Sequence, residues 1–418
     1  MADGLLNKAS IILTPTGYKA GTLYNVAPID EPYEDFDFAR TSTATRINSS
    51  GLVSNVATGV PRISYDSNGD NGHILLEPTS TNLLPYSEDF SQWTADDVEV
   101  VNNVTTSPNG DVTATLIKGN TNTSRHHVAN TTLTNTVTAS FSVFAKAKEL
   151  RYLQVASANS TNQVANFDLL NGTIGTVGAG FSDVVIEEYP NDWYKISLVS
   201  LNRYNSFYIS LVSSTTASWL ESWTMSNNTD GLYIWGAQLE ELSYATSYIP
   251  TLTGSQEVRE TETANGAGSA DLINSTEGVL YAEIADITND NLSDNNIISI
   301  SKSTDEDFRV HIALKTNGTI QGLIREGAGN TKLDVSSTTV LPSTSFFKIA
   351  VLFESGNNKL YVNGLQIGST NTSTFSNLQL NSLQFNRGDD DKIFYGKCKA
   401  LAVFNEALSP DELTQLTT

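Results

Sequence analysis

Between residues 85 and 250 apolar and polar positions alternate in short runs: ASFSVFAKA (139–147), YLQVASA (152–158), DWYKISLVSL (192–201), SFYISLVSS (206–214) and GLYIWGAQLE (231–240). A period of two sends successive side chains to opposite faces, so each run predicts a strand. Gly, Asn and Asp separate the runs and no helix-period stretch intervenes, which is the pattern of an antiparallel sandwich. A second series fills 273–418: GVLYAEIADI (278–287), NIISISKS (296–303), FRVHIALK (308–315), TIQGLIRE (319–326), FFKIAVLFE (346–354), KLYVNGLQIG (359–368) and KALAVFNEAL (399–408). Asn317-Gly318 and Asn363-Gly364 fall between apolar strands, a strong hairpin signal. SPDELTQL (409–416) predicts a short helix: Ser409 caps it, Pro410 sits at its first position and Glu412 reaches back.

The flanks differ. Residues 1–84 hold several prolines and no repeated apolar period, with extended pieces at SIILTP (10–15) and HILLEP (73–78). They predict an irregular segment that lies across another part of the molecule. Within it Thr41, Thr43, Thr45 and Ile47 alternate with Ser42, Ala44, Arg46 and Asn48, and Ser49-Ser50-Gly51 supplies a turn, so a small hairpin is expected. Arg40 and Arg46 are evenly spaced and expected on one face, paired with Glu34, Asp35 and Asp37 as a clasp onto the first sandwich. The polar stretch TLTGSQEVRETETANGAGSADL (251–272) reads as a linker. The expected fold is all-β: two antiparallel jelly-roll β-sandwiches, 85–250 and 273–418, joined by 251–272 and preceded by the extended segment 1–84.

Composition sharpens this in three ways. The 418 residues carry 24 Lys and Arg against 46 Asp and Glu, a net charge of −22, and such a field disfavours nucleic-acid binding. No apolar run approaches a membrane span, and MADGLLNKASIIL lacks the pattern of a secretion signal, so synthesis in a cytosol is expected. The single cysteine, Cys398, excludes an intrachain disulfide and sits in a strand-like run as a small core residue.

Reactive chemistry is sparse. His73, His126, His127 and His311 show no metal-ligand spacing, and no nucleophile elbow, phosphate loop or zinc-protease motif occurs. Glu283 and Asp286 differ by an odd step and would face opposite sides of a strand, so no enzyme is expected. Two loops are dense in oxygen ligands, NDNLSDNN (289–296) and RGDDDK (387–392). Asp290, Asp294, Asp389, Asp390 and Asp391 are therefore candidate Ca²⁺ ligands, with ordinary hydrophilic loops as the other reading. Trp193 and Trp235 fall in strand runs and are expected in the core. Trp219 and Trp223, in TTASWLESWTMSNNTDG (215–231), are candidates for ligand or partner contact, with local packing as the other reading.

Residues 346–369 (FFKIAVLFESGNNKLYVNGLQIGS) and 399–416 (KALAVFNEALSPDELTQL) resemble concanavalin A-like, laminin G-type jelly rolls, which implies that fold for 273–418. FDFARTSTATRINSSGLV (36–53), NVATGVPRISY (55–65), LLEPTSTNLLPYSEDFSQW (75–93), LYIWGAQLEELSYATSYIPT (232–251) and EVRETE (257–262), in that order, resemble a family of bacteriophage structural proteins whose middle block is similar to carbohydrate-binding modules. The resemblance implies a virion protein, made in the host cytoplasm and released by lysis. It would be a head or tail fibre displaying lectin-like sandwiches to host-surface glycan, in contact with other virion proteins and assembled as a homo-oligomer, a trimer favoured. A capsid decoration or cementing protein, or a polysaccharide depolymerase, are the alternatives.

Overall fold

The computed structural model describes residues 4–15, 17–28, 35–131, 137–157, 162–201, 206–287, 296–303, 305–338 and 344–418. Two β-sandwiches dominate. In the first, one six-stranded sheet runs in the order Thr94–Asp96, His126–Asn130, Phe207–Leu211, Tyr152–Ser157, Val164–Asp168 and Thr173–Val177. The other runs Val98–Thr105, Ala114–Gly119, Gly231–Glu240, Ala139–Ala147, Trp193–Ser200 and Phe181–Tyr189. Their facing sides bury Phe141, Leu153, Val155, Phe167, Ile196, Leu198, Phe207 and Ile209. Phe141 and Phe207 stack across the gap with ring centroids 5.0 Å apart. Trp193 and Trp235, each 1% exposed, fill a satellite core on the outer side of the second sheet with Phe144, Tyr189 and Tyr248.

The second sandwich packs a five-stranded sheet (Thr331–Ser336, Ile320–Glu326, Asp305–Leu314, Asn296–Lys302, Ser382–Gln384) on an eight-stranded one. Only five strands of the larger sheet come from the C-terminal third: Leu365–Asn371, Asn358–Val362, Phe347–Glu354, Glu277–Asp286 and Gly396–Phe404. The other three come from the N-terminal segment. His73–Leu76 pairs with the start of Gly396–Phe404, Ala9–Leu13 pairs with its end, and Ile63–Ser64 adds beyond His73–Leu76. Residues 1–84, expected to lie across another part of the molecule, thus place three of their strands in the second sandwich. All four residues of His73–Leu76 are buried, so no alternation betrays the strand.

The expected linker is also built in. Glu257–Arg259 pairs with Ser80–Asn82, and Thr263–Asn265 pairs with Phe36–Ala39. Ala264 and Ala267 enter the core of the second sandwich.

Local signals hold where turn chemistry is explicit. Asn363 (φ 46°) and Gly364 (φ 82°) form the two-residue turn between Asn358–Val362 and Leu365–Asn371. Pro410–Thr417 is an α-helix whose Ser409 and Glu412 make the reciprocal capping box. Ala44–Ile47 pairs with Val53–Val56 as the expected hairpin. Gly51, at φ 73°, turns it, and a Cβ there would lie 2.2 Å from the Ser67 carbonyl oxygen, so only glycine fits.

Candidate functional site

The two sandwiches, the hairpin and the connector meet around a buried ionic cluster. Glu262 accepts from Arg40 Nη1 at 2.6 Å, from Arg62 Nε at 2.8 Å and from the Glu77 amide at 3.0 Å. Arg62 Nη2 also contacts Glu262 Oε2, closing a bidentate fork. Glu77 pairs with Arg62 at 2.8 Å and Arg259 at 3.0 Å, and accepts from the Ser247 amide and hydroxyl. Glu240 takes Ser80 Oγ at 2.6 Å, Gln238 Nε2 at 2.8 Å and the Thr246 amide at 2.9 Å. Side chains of Arg40, Arg62, Arg259, Glu77 and Glu262 are almost wholly out of solvent.

Three guanidinium groups face three carboxylates, so the cluster balances formally. Burial alone would raise the Glu77 carboxyl, yet Arg259 and Arg62 hold it well below the usual carboxylate range. Burial would likewise weaken the Arg62 charge, and Glu262 and Glu77 reverse that. Ion pairs and fixed donors tie the members to one another, which makes the cluster a rigid junction rather than a reactive centre.

Beside it opens a cleft of about 590 Å³, within the ~300–1,000 Å³ range of small-ligand sites. The hairpin contributes Thr45, Arg46 and Ile47. The stretch after Ile63–Ser64 contributes Tyr65 and Asp66, and the outer face of Phe181–Tyr189 and Trp193–Ser200 contributes Asp183, Val185, Glu187 and Lys195. The 243–248 loop brings Tyr244, and the second sandwich brings Phe346, Lys397 and Lys399. Thr45, Glu77, Thr246 and Ser247 belong to cleft and cluster alike, so the cluster forms part of the cleft wall.

The polar groups of the cleft are held in place. Asp66 accepts from the amides of Asn68 and Asp70 and from Asn71 Nδ2 at 2.7 Å. Burial alone would lift its carboxyl, and these donors keep it below the usual range. Lys399 Nζ donates to Asn71 Oδ1 at 2.8 Å and lies 4.0 Å from the Phe346 ring centroid. His73 donates from Nδ1 to the Asn71 carbonyl at 2.8 Å, which fixes its tautomer. Burial pushes the His73 ring down to about 4, opposed by that carbonyl and reinforced by Lys397 and Lys399. Burial, with Glu77 and Glu240 near, drives the Tyr244 hydroxyl well above its ordinary value. Half-buried aromatic rings (Tyr65, Tyr244, Phe346) among fixed donors and acceptors suit a polyhydroxylated ligand, which offers both apolar ring faces and hydroxyls.

The residues singled out in the sequence scatter. Arg46 lines the cleft, donating to the Ile63 carbonyl at 3.1 Å and the Tyr18 hydroxyl at 3.4 Å. Arg40 lies in the cluster. The expected pairing of Arg40 and Arg46 with nearby acids is corrected: Arg40 reaches Glu262, Asp35 accepts from the Asn25 amide, and Asp37 sits in a strand pairing with Thr22 and Asn265. Glu34 lies outside the described residues. The even-spacing argument fails because the hairpin strand starts only at Ala44.

Trp219 and Trp223 do not line the cleft. Trp219 lies under the Arg125 guanidinium, 5.1 Å from its ring centroid, and edge-on to Tyr208. Trp223 donates to the Leu211 carbonyl at 3.1 Å and packs edge-on to His126 against the first core. Asp389 and Asp391 both pair with Arg387, at 2.5 and 3.1 Å, and Asp390 accepts from Asn386. Asp290 and Asp294 fall outside the described residues. Among the described residues no three His, Cys, Asp or Glu side chains gather to hold a metal ion.

Residues 286–414 match the family model described as the concanavalin A-like lectin/glucanases superfamily. No curated protein matches the chain. Among solved structures, the chain is similar to the Ruminococcus gnavus IT-sialidase CBM40 bound to alpha2,3 sialyllactose. That likeness is 17% identical, spans 37% of this chain and 88% of that one, and has a TM-score of 0.31. A heptameric SAP-like pentraxin from Limulus polyphemus is 15% identical over 34% of this chain and 70% of its own, with a TM-score of 0.27. The Trypanosoma rangeli sialidase in complex with the inhibitor DANA is 10% identical over 94% of this chain and 74% of its own, with a TM-score of 0.30. At such scores none of the three bears on what the cleft does. The family match covers the greater part of the second sandwich and supports the concanavalin A-like fold expected there.

Proposed function

We propose that the protein is a non-catalytic carbohydrate-binding component of a bacteriophage virion, a head or tail fibre that holds host-surface saccharide in the cleft between its two sandwiches. The observation that carries the binding role is the cleft itself, with Tyr65, Tyr244 and Phe346 set among hydrogen-bonding groups whose positions a buried ionic cluster fixes. The lectin-type family match of the second sandwich supports it. The virion setting rests on the resemblance of the five sequence blocks from FDFAR to EVRETE, and those blocks supply Arg40, Arg62, Glu77, Glu240, Arg259 and Glu262 to the junction. Weak single-site affinity would be multiplied by copy number in an oligomer, with a trimer the favoured assembly.

The test is binding of the purified chain to host cells and to an oligosaccharide array, beside Tyr65→Ala and Tyr244→Ala variants. Each variant should lose about tenfold in affinity, the order of one aromatic contact, with an unchanged melting curve. Adsorption to assembled capsids alone, with no saccharide bound, would favour the decoration protein. Release of reducing ends from host polysaccharide would favour the depolymerase.

A further inference from the structure

The cleft gathers cations in a protein short of them, beside four carboxylates, Asp66, Glu77, Asp183 and Glu187. Of the 24 basic residues in a chain of net charge −22, four line this one cavity: Arg46, Lys195, Lys397 and Lys399. Among the described residues none of the four is paired with a carboxylate. Arg46 donates to the Ile63 carbonyl and the Tyr18 hydroxyl, and its Nε is buried without a partner. Lys195 donates to the Thr246 carbonyl at 3.3 Å. Lys399 spends its ammonium on the Asn71 amide oxygen and the Phe346 ring. Lys397, from the same strand and lining the same cavity, makes no hydrogen bond or ion pair among the described residues.

Among the described residues none of the cleft's carboxylates forms an ion pair with these cations, although Glu187 stands opposite Lys195 on the neighbouring strand. Glu77 is committed to Arg62 and Arg259 behind the wall. Asp66 is satisfied by three donors of its own loop. Asp183 and Glu187 stand exposed on Phe181–Tyr189. The half-exposed ammonium groups of Lys397 and Lys399 keep their hydration, and an anion set against them beside the Phe346 ring gains charge-assisted hydrogen bonds.

Building on the saccharide reading, we infer that the ligand is an acidic saccharide, whose carboxylate or sulfate sits against Lys397 and Lys399 while Tyr65 and Tyr244 meet its rings. A neutral sugar would leave these cations to water. An acid group converts them into charge-assisted hydrogen bonds inside a walled cavity, where such bonds are strongest. Lys195 and Arg46, held by neutral carbonyl acceptors, extend the cationic lining.

The test uses the full chain on uronic-acid, sialic-acid and sulfated oligosaccharides, each beside its unsialylated, carboxyl-reduced or desulfated counterpart. The acidic members should bind at least tenfold tighter, with affinity falling as salt rises. The Lys397→Gln/Lys399→Gln variant should lose about tenfold per lysine for acidic members only, and Lys399→Arg should retain binding. Equal affinity for acidic and neutral members overturns the inference and leaves the saccharide reading standing. So does unchanged acidic binding by the folded double variant. If no saccharide of either kind binds, both fall.

Discussion

The ionic cluster and the cleft share four residues and are built on opposite principles. In the cluster three arginines and three glutamates are closed off from water, and each carboxylate has its charges or donors in hand. In the cleft four cations face an open cavity and, among the described residues, form no ion pair with a carboxylate. A buried charge without a partner costs several kcal/mol, whereas a half-exposed one keeps its hydration and can wait for a ligand. The comparison separates charges that position the walls from charges left over for an incoming group.

Substitutions on each side should therefore fail differently. The largest effect belongs to Glu262→Ala, which strips the counter-charge from Arg40 and Arg62 together. A loss of about 3–5 kcal/mol in denaturant unfolding is expected, with ligand binding lost alongside. Next comes acid. Folded His73 stays neutral down to about pH 4, while an unfolded histidine takes its proton near 6.5. The unfolded chain thus binds more protons in that window, so stability is full above about pH 6.5 and declines as pH falls toward 4, by about 3 kcal/mol for this group. His311, pushed down to about 3 by burial, acts in the same sense, so His73→Gln should flatten urea-derived stability between pH 6.5 and 4 only in part. A slope untouched by the substitution would refute the assignment.

Gly51→Ala should cost about 1–3 kcal/mol, read as a lowered Tm, since it combines a positive φ with a Cβ driven onto the Ser67 carbonyl. The smallest stability change belongs to Lys397→Gln/Lys399→Gln, within about 0.5 kcal/mol, because neither lysine has an ion pair to lose. A large destabilisation there would erase the distinction between wall and lining.

Much of the strand inventory was legible because alternation, Asn-Gly turns and a capping box are local signals. The strand Ala139–Ala147, the turn at Asn363-Gly364 and the helix Pro410–Thr417 stand where the residues suggested. Pairing was not legible, because hydrogen-bonding partners hundreds of positions apart leave no trace in a local window. The ionic cluster shows the same limit. Arg40 lies close in sequence to Asp35 and Asp37 but pairs with Glu262, 222 positions away. The hint was there in another form: Arg62 in GVPRISY and Glu77 in HILLEP are single charges set beside apolar runs, which a fold tolerates only when each finds a partner. The cleft was invisible for a related reason. Its lining is drawn from the hairpin, two sheets and a loop, and no one of these segments is unusual alone.

The strand Gly396–Phe404 has a consequence for how the molecule comes into being. It accepts His73–Leu76 along its first half and Ala9–Leu13 along its second, and Ser10 Oγ reaches the Val403 carbonyl 393 positions away. On a ribosome, Ala9–Leu13 leaves well ahead of Gly396–Phe404 and stays without that partner until the residues between them have been made. The first sandwich, whose strands all lie between these partners, can close long before. Such contact order makes assembly of the second sandwich slow and leaves an apolar strand unpaired in the interval. Pulse-labelled hydrogen exchange during refolding should show amides of Tyr152–Ser157 protected well ahead of those of Ala9–Leu13, and simultaneous protection would contradict that order.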